Sequence, residues 1–232
     1  MKKLSFFIAL LLLFSSALFA QMGINADNNT PDVCGQPFTD ARDGKVYTTV
    51  SIGSQCWMAE NLNVGVRIDG FQDQANNSII EKYCYNDDNT NCNTYGALYQ
   101  WNEAMQYLTT PGVQGICPTG WHLPSDAEWT ALTDFLGGES IAGGKMKETG
   151  TAHWLYPNTG ATNSSGFTAL PGGNRDNNGY FVNLTTTASF WSSTEYSSTR
   201  AWHRHLYYDN EGVTRCYYNT KADGFSARCV HD

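Results

Sequence analysis

The chain has 232 residues, of which 41% are hydrophobic, 13% aromatic and 16% charged, a balance that supports a packed core and excludes a disordered chain. Fourteen Lys and Arg against twenty-two Asp and Glu give a formal charge of −8, which removes any general attraction for phosphate backbones or anionic membranes and excludes nucleic acid as a default partner. Twenty-two Gly, with many Asn, Ser and Thr between short apolar runs, argue for a loop-rich chain and against a helical bundle.

The first twenty residues read as a signal peptide. Lys2 and Lys3 precede an apolar run from Leu4 to Phe14, and Ala17-Leu18-Phe19-Ala20 supplies the small-x-small cleavage pattern before Gln21. The run is shorter than the ~20 residues a spanning helix needs, so no membrane insertion is expected after cleavage. Residues 21–33 are polar and Asn-rich and form an expected flexible leader, with the folded domain over 34–232.

Within the domain, Asp43-Gly44 leads into the run Lys45 to Ile52, and Gly53-Ser54 turns it back into Gln55-Cys56-Trp57-Met58, which reads as a hairpin. Tyr95 to Leu108 places Leu98, Trp101, Met105 and Leu108 at helical spacing and predicts a first helix, stopped by Pro111-Gly112. A second is announced by the capping box Ser125-x-x-Glu128, with Trp129, Leu132, Phe135 and Leu136 directed at the core and Gly137-Gly138 as its stop. From Ala161 onward short strands alternate with turns: Gly166–Leu170, Tyr180–Val182, Ala188–Ser193, Ala201–Tyr208, Gly212–Tyr218 and Gly224–Val230, expected to pair antiparallel. Two central helices between terminal strands define an α+β domain whose ends can share one sheet.

All seven cysteines follow the signal segment, and in an oxidising compartment they read as a disulfide framework. Cys84 and Cys92 enclose the turn-forming run Tyr-Asn-Asp-Asp-Asn-Thr-Asn and make the best-defined pair. No C-x-x-C doublet points to a zinc site. The odd count leaves one cysteine free, bonded to another chain or modified. Asp87-x-Asn89-x-Asn91 imitates the start of a calcium loop, but Cys92 stands at the turn-glycine position and Leu98 at the place of the bidentate Glu. His203-x-His205 on a predicted strand sends two imidazoles to one face with Tyr207 beside them; no third metal ligand is indicated, so two partly exposed sheet histidines are expected and no cofactor is assigned.

Several segments together resemble the Fibrobacter succinogenes major paralogous domain: Asp40 to Tyr47, Gln55 to Asn63, Tyr95 to Trp101, Cys117-Pro-Thr-Gly-Trp-His-Leu-Pro-Ser-Asp-Ala-Glu-Trp129, Phe190 to Glu195, and Gly224 to Val230. The resemblance runs from about Phe38 to Asp232. That family is similar in fold to C-type-lectin-like domains and to formylglycine-generating, sulfatase-modifying enzymes, which implies paired termini, two helices, short strands and long loops on one side. By the same analogy Cys117 would bridge to Cys229 and Cys34 to Cys56, leaving Cys216 unpaired. Trp57, Trp101, Trp121, Trp129 and Trp191 fall in the recurrent segments and are assigned to the core.

The formylglycine-generating oxidase chemistry needs two closely spaced reactive cysteines, and Cys216 stands thirteen positions from Cys229. Calcium-dependent lectins need a Glu/Gln-Pro-Asn/Asp triplet and a Trp-Asn-Asp run, and neither occurs. The expectation is therefore an exported, non-catalytic cell-surface or secreted domain for adhesion or recognition, binding a glycan or a surface protein. Trp202, His203, His205 and Tyr207 are its ligand-binding candidates; Trp154, Tyr156, Tyr180, Tyr217 and Tyr218 are further rings on loops and late strands available for stacking on sugars. The alternatives are a diverged sulfatase-modifying-type enzyme, or a self-associating subunit of a surface assembly linked through Cys216.

Overall fold

The computed structural model describes residues 34–232; the expected signal peptide and leader lie outside the described residues. The Asp43-Gly44 turn closes a small ladder between β1 (Phe38–Thr39) and β2 (Val46–Tyr47), and Gly53-Ser54 closes the hairpin of β3 (Thr49–Ile52) and β4 (Gln55–Met58). A parallel pair, β5 (Val66–Arg67) and β6 (Glu81–Lys82), leads to a 3-10 turn at Tyr85–Asp87 and helix α1 (Asn89–Tyr95). Then come β7 (Leu98–Gln100), α2 (Trp101–Ala104), β8 (Trp121–His122), α3 (Asp126–Phe135) and α4 (Ala142–Met146). The C-terminal half is β9 (Gly172–Arg175), β10 (Phe181–Leu184), β11 (Thr187–Ser197), β12 (Arg200–Tyr207), β13 (Val213–Cys216), β14 (Gly224–Ser226) and β15 (Val230–His231).

The architecture is α+β with four short helices among the described residues, where two were expected. The long helix over 95–108 does not form. Gly96 ends α1 with φ of 80°, and a Cβ there would stand 2.4 Å from the Cβ of Asn61, so the chain both reverses and passes too close for a side chain. Leu98-Tyr99-Gln100 then pairs with β14 as a strand buried on both faces, and its Leu98 belongs to what reads in sequence as a helix stripe. Helix resumes for four residues at Trp101, and Leu108 is exposed. Between Cys84 and Cys92 the run forms the 3-10 turn and α1 in place of a plain turn, with the Asp88 carboxylate accepting from the Thr90 amide as the cap.

Helix α3 starts at the expected box: the Ser125 amide donates to Glu128 Oε2 at 2.7 Å, and the Glu128 amide to Ser125 Oγ at 3.2 Å. Trp129, Leu132 and Leu136 are buried as their spacing requires, but Phe135 is 65% exposed and covers the hairpin turn at Gly53. At about 100° per residue Phe135 falls away from the Trp129 face, and Thr133 takes the buried position.

The terminal strands share a four-stranded sheet ordered β3-β4-β15-β8, with Val230 opposite both Trp57 and His122. The larger, seven-stranded sheet runs β10-β9-β14-β11-β12-β13, with β7 alongside β14. It is mixed: β11 is antiparallel to β12 but parallel to β14 and β9, contrary to the all-antiparallel expectation, because β14 returns after the β12–β13 hairpin on the far side of β11. Trp57, Trp129, Phe167 and Phe190 pack between the sheets with ring centres 4.8–5.9 Å apart. Trp101, Trp121 and Trp191 fill the second half of the core, and Trp154, expected on a surface loop, is buried too, its indole N–H donating to the Ala169 carbonyl at 2.9 Å.

Three disulfides close the domain: Cys34–Cys56, Cys84–Cys92 and Cys117–Cys229. The last joins residues 112 apart in sequence, and a loop of that size contributes about 4–5 kcal/mol in the chain-entropy description. The double substitution Cys117→Ala/Cys229→Ala is expected to lower unfolding free energy by that order in a urea titration; Cys84→Ala/Cys92→Ala, which opens a separation of only 8 residues, should cost clearly less.

His122 on β8 ties three elements together, its Nε2 at 2.8 Å from Glu128 Oε1 and its Nδ1 at 2.6 Å from Asp232 Oδ1. Burial opposes the charge on both His122 and Glu128, but the hydrogen bonds outweigh it, raising the imidazole above 6.5 and holding Glu128 at about 2. Glu128 thus stabilises the fold above its ordinary 4.5 and loses that contribution as pH falls towards 2. Protonated His122 contributes fully below 6.5, and its contribution disappears as pH rises through its raised folded-state value. Thermal unfolding between about pH 5 and about pH 9 should show Tm falling on the alkaline side, a fall that His122→Gln removes; an unchanged slope in the variant would assign it to other groups.

Candidate functional site

Strand β12 separates the four ligand-binding candidates by alternation. His203, His205 and Tyr207 point to one side of the large sheet, and Trp202, Arg204 and Leu206 to the other. Pairing with β13 sets His203 opposite Cys216 and Arg204 opposite Arg215.

On the Trp202 side the anchor is Asp126, the first residue of α3. Its carboxylate accepts from Arg204 NH1 at 2.8 Å and, in bidentate fashion, from Arg215 Nε and NH2 at 3.0 and 2.6 Å. Burial works against its ionisation, and the two guanidinium groups more than offset that, holding its pKa below the usual carboxylate range. Arg204 is fully buried and also reaches the Thr130 hydroxyl. Arg215 lies over the Trp202 ring with its guanidinium carbon 3.6 Å from the centroid. Trp202 in turn touches Tyr196 and Tyr217 at 5.3 and 5.2 Å, and those two rings stack on each other at 4.1 Å. Tyr196 and Tyr217 are 47% and 41% exposed, so an aromatic platform reaches solvent where β11, β12 and the end of β13 meet.

The other side is interior. His203 and His205 are both buried, not partly exposed as expected, and their rings are 4.8 Å apart. His203 Nδ1 is 3.0 Å from the Ala201 carbonyl and His205 Nδ1 is 2.9 Å from Ser189 Oγ. Cys216, the free cysteine among the described residues, joins them: the three potential ligand atoms lie within 4.8 Å of one another. Burial lowers His203 to about 4, helped by the Arg204 charge, and lowers His205 to about 3, helped by His203, so both rings are neutral at neutral pH. Burial raises the Cys216 thiol, against a hydrogen bond with the Tyr218 hydroxyl at 3.4 Å. Cys216 is 2% exposed, a position that does not present it for a bond to a second chain. Tyr207 is half-buried at the rim, within 5.8 Å of the His205 ring.

The other candidates disperse. Tyr156 and Tyr180 are exposed on separate loops, and Tyr180 packs edge-on against Phe71. Asp87 and Asn91 are committed locally: the Gly70 amide donates to Asp87, and Asn91 donates to the Tyr85 carbonyl, while Asn89 lies against the Cys84–Cys92 disulfide. A cleft of about 280 Å³ lies between Tyr47, Asn61, Tyr95, Thr168 and Arg228. Arg228 there directs its guanidinium at Asn61 Oδ1 and the Phe167 carbonyl. Three participants escaped sequence reasoning. Tyr196 and Arg215 carry no motif of their own, Asp126 was read only as part of the helix start, and only the register of the β12–β13 hairpin brings Arg215 and Cys216 to their partners.

These features define a disulfide-stapled α+β domain with a surface aromatic platform over a mixed sheet. The chain belongs to the Fibrobacter succinogenes major domain family, whose model matches residues 50–231. No curated protein and no solved structure matches it. Among the described residues no helix is long and apolar enough to cross a membrane.

Asp126→Ala leaves the buried Arg204 without its counter-charge and frees Arg215 from beneath the platform. A loss of about 3–5 kcal/mol in urea-unfolding free energy is expected, far more than for Asp69→Ala on an exposed loop.

Proposed function

We propose that the protein is an exported, non-catalytic recognition domain of the cell surface, with the Tyr196–Trp202–Tyr217 platform as its glycan-binding surface. The observation that carries this reading is the mutual contact of three rings, two of them widely exposed, held by a cation that is itself fixed by Asp126. Sugar rings present faces of C–H groups that stack on such rings, and an oriented aromatic loses little conformational freedom on binding. Membership of the family and the three disulfides support a domain that works outside the cytoplasm. The shared sheet of the terminal strands and the capped α3 support a C-type-lectin-like architecture. The non-catalytic reading is supported by the engagement of Cys229 with Cys117, which leaves Cys216 without the second thiol that formylglycine-generating chemistry uses.

The test is an array of bacterial and plant cell-wall polysaccharides probed with the protein, followed by Tyr196→Ala and Tyr217→Ala. Both substitutions are at exposed positions and should leave Tm nearly unchanged while reducing binding by tenfold or more, about 1.4 kcal/mol or above. A blank array, or binding indifferent to both, would turn the search to protein partners.

A further inference from the structure

We propose that His203, His205 and Cys216 form a three-ligand site for a transition-metal cation that accepts mixed imidazole and thiolate ligands, with zinc(II) as the representative ion. This inference is independent of the glycan-binding reading, because the cluster lies on the opposite side of β12 from the platform. Three points carry it. First, the ligand atoms already lie within 4.8 Å of one another, and a tetrahedral zinc with bonds of about 2.0–2.3 Å needs them about 3.5 Å apart, so rotamer adjustments of about 1 Å would close the site. Secondly, His203 is fully buried and its Nε2 meets only the side chain of Asn219, without a well-formed hydrogen bond. Asn219 Oδ1 is itself without a hydrogen-bond partner, so two buried polar atoms here are poorly satisfied, a cost in stability that a cation taking the imidazole nitrogen would relieve. Thirdly, the outer contacts are those that orient metal-bound imidazoles: each Nδ1 is turned to an oxygen, the Ala201 carbonyl for His203 and the Ser189 hydroxyl for His205. That arrangement turns the Nε2 atoms to the Asn219 side chain, which a cation would displace.

The donor set selects the ion. One sulfur and two nitrogens suit zinc and copper and do not suit calcium or magnesium, which take oxygen. Binding forms one metal–sulfur bond and two metal–nitrogen bonds, and the Cys216 thiol proton leaves to solvent. Tyr218, 56% exposed and hydrogen-bonded to Cys216 Sγ, stands between the cluster and water and gives an approach through a single side chain. A water or the Tyr218 oxygen completes the fourth position.

The purified protein, stripped with chelator, should take up one equivalent of cobalt(II), a spectroscopic substitute for zinc, with a thiolate-to-cobalt charge-transfer band and the visible bands of a four-coordinate ion. Cys216→Ser should abolish the charge-transfer band, and His203→Gln should weaken binding by at least about tenfold, with near-ultraviolet circular dichroism confirming that each variant is folded. A second readout needs no variant: zinc(II) in excess should raise the Tm of the chelator-stripped wild-type protein. Cobalt uptake without a thiolate band, a band that survives Cys216→Ser, or a Tm indifferent to zinc would each overturn the assignment.

Discussion

The wedging of the last strand between β4 and β8 is the contact on which the rest of the molecule depends. Val230 meets Trp57 on one side and His122 on the other, and one residue earlier Cys229 is bonded to Cys117. A strand of two residues has too few hydrogen bonds to hold itself in place. Its position is secured by the covalent link, by the indole of Trp57 packed on Trp129, and by the Met58 amide donating to the Cys229 carbonyl at 3.1 Å. Once β15 is seated, β14 is only a few residues away along the chain and is thereby delivered to the centre of the large sheet, between β11 and β9. The mixed character of that sheet follows from this closure.

A second theme is the use of buried cations as fasteners between segments that have little regular structure. Lys147 donates to the carbonyls of Thr159, Tyr207 and Asn210 at 2.9, 2.9 and 2.8 Å, so one ammonium satisfies three loop acceptors. Burial lowers its pKa to about 8, the expected response of an ammonium surrounded by dipoles with only distant carboxylates. Arg228 spans Asn61 and the Phe167 carbonyl while its guanidinium lies 4.0 Å from the Phe167 ring centre. Arg204 does the same work for α3, with the more exposed Arg215 beside it on the same carboxylate. In a chain with many short strands and long connections, each such group replaces several backbone ladder bonds and directs loops that would otherwise have no fixed path.

The parts of the fold legible in the sequence were those with local causes. The Ser125 capping box, the hairpin at Gly53-Ser54 and the strand positions from 181 onward rest on nearby turn chemistry and alternation. The segment after Gly96 was misread because a doubly buried strand and a helix stripe have the same hydrophobic content, and tertiary pairing with β14 decides between them. Cys84–Cys92 follows from a short turn-rich separation, whereas Cys34–Cys56 and Cys117–Cys229 entered only through the family resemblance. The candidate site was half visible. The alternation that put His203 and His205 on one face was readable, but their burial and the arrival of Cys216 depend on the register of the next strand, and the platform depends on Tyr196 crossing from β11.

The two long-range disulfides also fix how the domain carries mechanical load. A pull applied between residues 34 and 232 passes from Cys34 directly to Cys56 and leaves through Cys117 to Cys229, so tension can extend only the stretch 57–116, itself shortened by Cys84–Cys92. Residues 118–228, with α3, the aromatic platform and the histidine–cysteine cluster, form a side loop that lies off the covalent path between those two points. A domain wired in this way can have its ends drawn apart while the covalent path between them bypasses its aromatic platform.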